Sequence, residues 1–317
     1  MKVLVIQQRY GIGDMVIFTP YFQAISKKLK TPLTILAKDS SRAKDLYSDD
    51  NHIKKIITLD ASNDGLFGTS KLINQLKSEK FDKVFIFNNS FRYRIVCILA
   101  GIKEIFQYKN SLFKKNDVIF ETAKHFTESC LKEQVSTQSN IIVKNRISDN
   151  KKIKSFFNEI GKIIVLGISA SGPTKRWDLE NYSKLIKNLS ELRQCKFILA
   201  GGKNDQILIN KVIDDNNEIK FFSLADMTIK DSLPILKKAE AYIGNDTGFL
   251  HLCAALGVNS LGLFMDSPAH SYSGYSPKIN VVVPEDETIE STSHNTRGKN
   301  NISFDKVLEK SKEILSI

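Results

Sequence analysis

The strongest constraint in this chain is a repeated alternation. Short apolar runs end in glycine-rich or polar turns, and each is followed by a segment with apolar residues at helical spacing. The opening "KVLVIQQ" runs into "RYGIGD" and then "MVIFTPYFQAISKKL", which reads as strand, glycine turn and helix. Further strands are expected at "LTILA", "IKKIITL", "DKVFIFN" and "IKEIFQY", with helices at "SRAKDLYSD", "GTSKLINQLKS" and "RYRIVCILAG" between them. Near "VSTQSNIIVKNRISDNKK" the pattern loosens into a polar stretch suited to an inter-domain linker. It then restarts: "KIIVLGISA", "CKFILAGG", "IKFFSL", "AYIGN" and "SLGLF" read as strands. Between and after them, "DLENYSKLIKNLSEL", "NDQILINKVIDD", "IKDSLPILKKA", "TGFLHLCAAL" and "FDKVLEKSKEIL" read as helices, the fourth closed by Gly257. Such alternation folds as parallel sheets covered on both faces. The expected architecture is α/β with two domains, residues 1–150 and 151–317, the last helix being a candidate to pack back on the first. Ligands are then expected at the carboxyl ends of strands and in a cleft between the domains.

Composition narrows the function classes. A length of 317 residues fits about two domains, and 42% hydrophobic residues with 19 Phe exclude a largely disordered chain. Cys97, Cys130, Cys195 and Cys253 are scattered without a C-x-x-C pair, which excludes an obvious zinc ribbon or disulfide framework and suits a reducing compartment. Only four apolar residues follow Met1-Lys2, too few for a signal-peptide core, and no uncharged apolar run approaches the ~18 residues of a membrane span. The expectation is a cytoplasmic chain whose membrane contact, if any, is peripheral. The net charge of +11 is uneven: residues 1–150 carry 24 basic and 15 acidic side chains, residues 151–317 carry 22 and 20. A basic first half points to an anionic partner or, equally, to a Lys-rich solubilising surface. No recognition helix, RNP-like strand or zinc module supports nucleic acid as that partner.

Four loops at expected strand ends carry the polar chemistry. In "RYGIGDMVIFTP", Gly11 and Gly13 allow a sharp turn into a helix start, and Asp14 is the ionisable group there. Val16 stands where the dinucleotide fingerprint needs its third glycine, and no Gly-Lys-Ser/Thr follows to make a P-loop. From spacing alone Asp14 is more readily a helix cap than a catalytic group. In "ISASGPTKRWD", the hydroxyls of Ser169, Ser171 and Thr174 with Lys175 and Arg176 suit either a phosphate or a solvated turn capped by Asp178, while Trp177 suits packing. In "AGGKNDQ", Gly201-Gly202 allows close approach of a ligand; Asp205 is a ribose acceptor or an ordinary cap. In "GNDTGFLHLCAALG", Asp246, Thr247 and Gly248 open a helix whose dipole favours an anion, and His251 lies one turn on from Thr247.

Taken together and in this order, "GIGDMVIFTP", "SGPTKRW", "AGG" and "NDTGFLHLCAALG" resemble the glycosyltransferase family 9 heptosyltransferases, and "FRYRIVCILAGIKEIFQY" resembles that family's middle N-domain segment. The resemblance runs over roughly residues 1–265. It implies a GT-B fold of two Rossmann-like domains facing a central cleft, an acceptor-binding one first and a nucleotide-sugar-binding one second. It implies inverting, metal-independent transfer of a heptose from ADP-heptose, used as substrate with no cofactor, to the anionic glycolipid inner core of lipopolysaccharide. By motif match Asp14 is the general base, Lys175 binds the donor diphosphate, and Asp246, Thr247, Gly248 and His251 belong to the donor site, with Thr174, Gly202 and Asp205 beside them. Nothing is carried over beyond Phe264. No Asp-x-Asp doublet lies at any of the four loops. Another nucleotide sugar within the same family, and more distantly a non-catalytic basic binding protein, remain the alternatives.

Overall fold

The structure, a computed structural model, describes residues 1–108, 118–144, 150–294 and 302–317; positions 145–149 of the expected linker lie outside the described residues. The chain divides into two compact units, Met1–Ile142 and Val143–Ile317, each built on its own sheet.

In the first unit the strands are β1 (Val3–Ile6), β2 (Leu33–Lys38), β3 (Ile53–Leu59), β4 (Lys83–Ile86) and β5 (Glu104–Gln107). Its helices are α1 (Ile12–Leu29), α2 (Ala43–Leu46), α3 (Gly65–Glu79), α4 (Phe91–Leu99) and α5 (Ile119–Leu131). The five strands pair in parallel in the order β3-β2-β1-β4-β5. Because side chains alternate across a strand, Leu4, Ile6, Val84 and Ile86 meet Leu72 and Leu76 of α3 and Tyr93, Val96 and Cys97 of α4 on one face. Phe87 points the other way, edge-on to Phe18 and Phe22 of α1, and the Tyr21 hydroxyl ties α1 to α5 by donating to the Phe120 carbonyl at 2.6 Å.

In the second unit the strands are β6 (Lys162–Gly167), β7 (Cys195–Leu199), β8 (Phe221–Ser223), β9 (Ala241–Asn245), β10 (Asn259–Leu263) and β11 (Ile279–Val282). Its helices are α6 (Lys151–Asn158), α7 (Leu179–Leu192), α8 (Gln206–Asp214), α9 (Ile229–Leu236), α10 (Gly248–Ala255), α11 (Ala269–Ser273) and α12 (Phe304–Leu315). The parallel order β8-β7-β6-β9-β10-β11 is the doubly wound arrangement of dinucleotide-binding domains, and the first sheet has the same order less its sixth strand. Gly257 leaves α10 at φ +87°, the left-handed conformation that its place after the helix calls for. The last helix packs in the second unit: Val307 and Leu315 of α12 join the core around Ile164 and Leu166. Its amphipathic stripe is apolar enough to be claimed by the nearest sheet, next to α7. Helices α5, α6 and α11 and strand β11 were not foreseen.

Candidate active site

In each sheet the strand order reverses beside the first strand, between β1 and β4 and between β6 and β9. Loops leaving the carboxyl ends of such a pair diverge to opposite faces and open a crevice.

At the first crevice Gly11 takes the N-cap of α1 and Asp14 its third helical position. One Asp14 oxygen accepts from the Gly11 N–H at 3.3 Å, and the other accepts from Arg9 Nε at 2.6 Å. Asp14 is thus a reciprocal cap as well as a carboxylate facing a cavity. Gly11 sits at φ −86°, open to any residue; what it supplies is room, since a Cβ there would come within 3.1 Å of the Asp14 carboxylate. Gly13 is buried in the first turn of α1. A cavity of about 570 Å³ lies over Asp14, walled by Arg9 and Tyr10 from the β1 loop, Asn88 from the β4 loop, and Tyr108. Gln8 also lines it, and Gln8 Nε2, Asn88 Nδ2 and the Tyr108 hydroxyl are each buried with no hydrogen-bond partner among the described residues. Burial holds the Tyr108 hydroxyl well above the usual phenol range, so it stays a protonated donor.

At the second crevice the β6 and β9 backbones approach closely. A Cβ on Gly167 would fall 1.8 Å from the Tyr242 hydroxyl, and one on Gly244 2.5 Å from the Gly167 Cα. This packing brings the loop after β6 against the loop after β9, and buried Asn245 fastens them. Its Oδ1 accepts from the Trp177 N–H at 3.0 Å, and its Nδ2 donates to the Ser169 carbonyl at 3.1 Å. Trp177 is fully buried, its indole N–H donating to the Ile302 carbonyl at 3.0 Å, so it packs as expected. Between these anchors Thr174 and Lys175 lie in a short 3-10 turn, and the Thr174 hydroxyl donates to Asp266 at 2.7 Å.

Asp246 follows Asn245, with His251 Nε2 3.4 Å from its carboxylate and His251 Nδ1 3.0 Å from the Tyr275 hydroxyl. Burial pushes the Asp246 carboxyl upward, but the His251 contact, with Ser267 and the Lys175 charge, outweighs it and holds the group below the usual carboxylate range. Lys175, Asp246 and His251 thus form one electrostatic cluster. Thr247 is the N-cap of α10 and makes no side-chain cap bond, leaving the first N–H groups of that helix, from Gly248 onward, presented at the crevice.

The Asp205 carboxylate accepts from the Gly202 N–H at 2.9 Å through one oxygen, the same reciprocal cap that Asp14 makes at Gly11. The pieces not foreseen are Arg9 beside Asp14, the Asn245 fastener, and Asp266 and Tyr275 in the divergent stretch after Phe264. A buried Asn beside Asp246-Thr247 was visible as a residue but had no spacing signal. Asp266 and Tyr275 reach the cluster only because β10 lies beside β9. Among the described residues no three His, Cys, Asp or Glu side chains group as metal ligands, and no helix is long and apolar enough to cross a membrane.

Comparison with known proteins agrees with this geometry. The sequence model of glycosyltransferase family 9 (heptosyltransferase) matches residues 69–301. Lipooligosaccharide heptosyltransferase 2 of Haemophilus ducreyi is 24% identical over 286 residues, 81% of this chain and 80% of that protein. The protein of the same name from Campylobacter jejuni is 25% identical over 199 residues, and the match spans 58% of each chain. Among solved structures, E. coli ADP-heptose lps heptosyltransferase II superposes with a TM-score of 0.73 at 19% identity, covering 100% of this chain and 99% of that one. A glycosyl transferase family 9 protein from Veillonella parvula superposes at 0.78 with 16% identity, covering 99% and 97%. The α/β architecture with two parallel sheets is therefore that of the GT-B heptosyltransferase structures. This chain belongs to glycosyltransferase family 9, the heptosyltransferase family, and is a glycosyltransferase.

Proposed function

We propose that the chain transfers a heptose from ADP-heptose to the anionic inner core of lipopolysaccharide or lipooligosaccharide, with inversion at the anomeric carbon and no metal ion. The observation that carries this reading is the cavity over Asp14, where a fixed carboxylate and Arg9 stand beside Gln8, Asn88 and Tyr108, each holding a buried donor that the described residues leave unpaired. A donor-rich wall suits an acceptor dense in oxygen atoms, as an acidic core sugar is. The relatives named as lipooligosaccharide heptosyltransferases, and an E. coli heptosyltransferase solved with ADP, support the same donor and acceptor classes.

In this mechanism Asp14 takes the proton of the attacking hydroxyl. Two of its roughly four lone-pair sites are held by Arg9 and Gly11, which leaves others for the acceptor. The hydroxyl oxygen bonds to the anomeric carbon from the face opposite the leaving group. The bond from that carbon to the diphosphate oxygen breaks, and its electron pair leaves with ADP. Lys175 and the N–H groups opening α10 stabilise the charge gathering on the diphosphate, while Asp246 and His251 keep that end of the site in place.

The test is donor turnover by the purified enzyme with ADP-, GDP- and UDP-sugars and a core-oligosaccharide acceptor, with the product anomer read by NMR. ADP-heptose is expected to turn over with inversion and at the same rate in excess EDTA. Turnover confined to UDP-sugars would overturn the donor, and activity lost to EDTA and restored by Mg²⁺ would overturn metal independence.

A further inference from the structure

Helix α4 is apolar on both sides. Tyr93, Val96, Cys97 and Ala100 face the sheet and are buried, as an amphipathic helix requires. Its outer face carries Phe91, Ile95, Ile98 and Leu99, where solvent-facing positions ordinarily carry charge; Phe91 is 71% exposed and the other three more than half. The start of α3 continues this surface, with Leu66 90% and Phe67 94% exposed. Arg92 binds the two helix starts together: its guanidinium donates to the Asn63 carbonyl, to Asp64 at 3.2 Å and to Thr69 at 3.3 Å. Phe91 precedes that arginine, and Leu66 and Phe67 lie between its two side-chain partners. Arg92 thus sets the exposed start of α3, with Leu66 and Phe67, beside the start of α4 that carries Phe91.

We propose that this surface is the seat for an anionic lipid bilayer, with the outer face of α4 lying in the headgroup–acyl boundary. Exposed side chains of this size, collected on one face, mark an interaction site. The charges around it select the partner. Arg94 stands among the apolar residues on the outer face of α4, with Lys71 on α3 and Lys103 just past the end of α4, all exposed. The unit carrying them, residues 1–142, holds 22 basic against 14 acidic side chains. Apolar side chains interleaved with cations fit acyl chains beneath anionic headgroups. A second copy docked through the same face would bring two sets of Arg94, Lys71 and Lys103 into one interface, and that accumulated like charge disfavours a symmetric dimer. Phe91 also begins α4 at the carboxyl end of β4, the end of the first sheet that carries Asp14. A bilayer seated on α4 would hold that end near the membrane surface. The lipid binding rests on this apolar face and the cations around it; only its benefit to transfer rests on the proposed glycolipid acceptor.

The test is sedimentation of the full chain with vesicles of phosphatidylcholine alone and of phosphatidylcholine with phosphatidylglycerol. Binding is expected to need the anionic lipid, and Ile95→Gln/Ile98→Gln/Leu99→Gln, at solvent-facing positions, is expected to cut it at least about tenfold. Arg94→Gln is expected to cost about fivefold on anionic vesicles. In a Trp177→Phe background, Phe91→Trp should shift its emission to the blue on vesicle addition. Turnover of a delipidated, water-soluble acceptor should be untouched in the triple variant, which separates this proposal from the assignment of the reaction. Unchanged vesicle binding by the triple variant would overturn it. So would a self-association, seen by sedimentation velocity, that the triple variant abolishes, because the face would then belong to a second copy.

Discussion

The two crevices occupy equivalent places in two similarly wound sheets, and each holds an aspartate: Asp14 in the first turn of the helix after β1, Asp246 directly after β9. Their surroundings differ. Asp14 is held by Arg9 and a backbone N–H at the wall of an open cavity. Asp246, no more exposed than Asp14, faces His251, Ser267 and the charge of Lys175. The first has unused lone pairs facing space where a substrate fits; the second is occupied by protein. Equivalent crevices therefore carry their aspartates on different strands, Asp14 after β1 and Asp246 after β9, and in different surroundings.

The sharpest way to break this comparison is Asp14→Asn. The amide retains an oxygen for the Gly11 N–H but cannot take a proton at neutral pH. Transfer should fall by about 10²–10⁴-fold while ADP affinity, read by calorimetry, stays at the wild-type value. Near-wild-type transfer would make Asp14 a helix cap only. At the second crevice the effects should fall on binding and stability. Asn245→Ala removes the partner of the Trp177 N–H and of buried carbonyls, and should cost about 2–4 kcal/mol in a denaturant titration, with weaker ADP binding as the Lys175 turn loosens. Lys175→Ala should weaken ADP by roughly tenfold, the scale of one charge-assisted contact, with the fold intact.

His251→Phe gives the subtlest change. With its carboxyl held low in the folded state, Asp246 contributes stability that is fully present above the unfolded value of about 3.9 and is lost as pH falls through the lower folded value. Without His251, burial becomes the stronger influence and the folded value rises. Acid unfolding, followed by circular dichroism, should then begin at a higher pH than in the wild type, and an unchanged acid limb would remove His251 as the partner that matters.

Legibility in the sequence followed how local the physics is. Strands β3 and β9 and helix α12 occupy the segments read from periodicity, because an alternating or helical stripe is written in consecutive residues. Helix α5 was missed in "IFETAKHFTESCL", where β-branched and aromatic residues obscure the helical signal; its register is fixed by contacts such as Tyr21 with the Phe120 carbonyl. Lys196 of β7 is buried and donates at 2.6 Å to the Phe156 and Glu159 carbonyls at the end of α6. No sequence window contains that pairing, because its partners lie about forty residues apart.

The amino-acid sequence by itself determined two α/β units, the strand ends that carry chemistry, and the loops holding Asp14, Lys175 and Asp246-Thr247-Gly248. Periodicity and turn chemistry act over a few residues, so they can be read in order along the chain. The tertiary structure decided the roles of those residues. It set Arg9 on Asp14, fastened the Lys175 loop through Asn245 and Asp266, placed Tyr275 behind His251, and turned Asp205 back into its own loop. It also left the outer face of α4 exposed, with Phe91, Ile95, Ile98 and Leu99 at solvent-facing positions. Burial and partner choice depend on what the sheet order brings together in space, and strand order is not written in any local stretch of sequence.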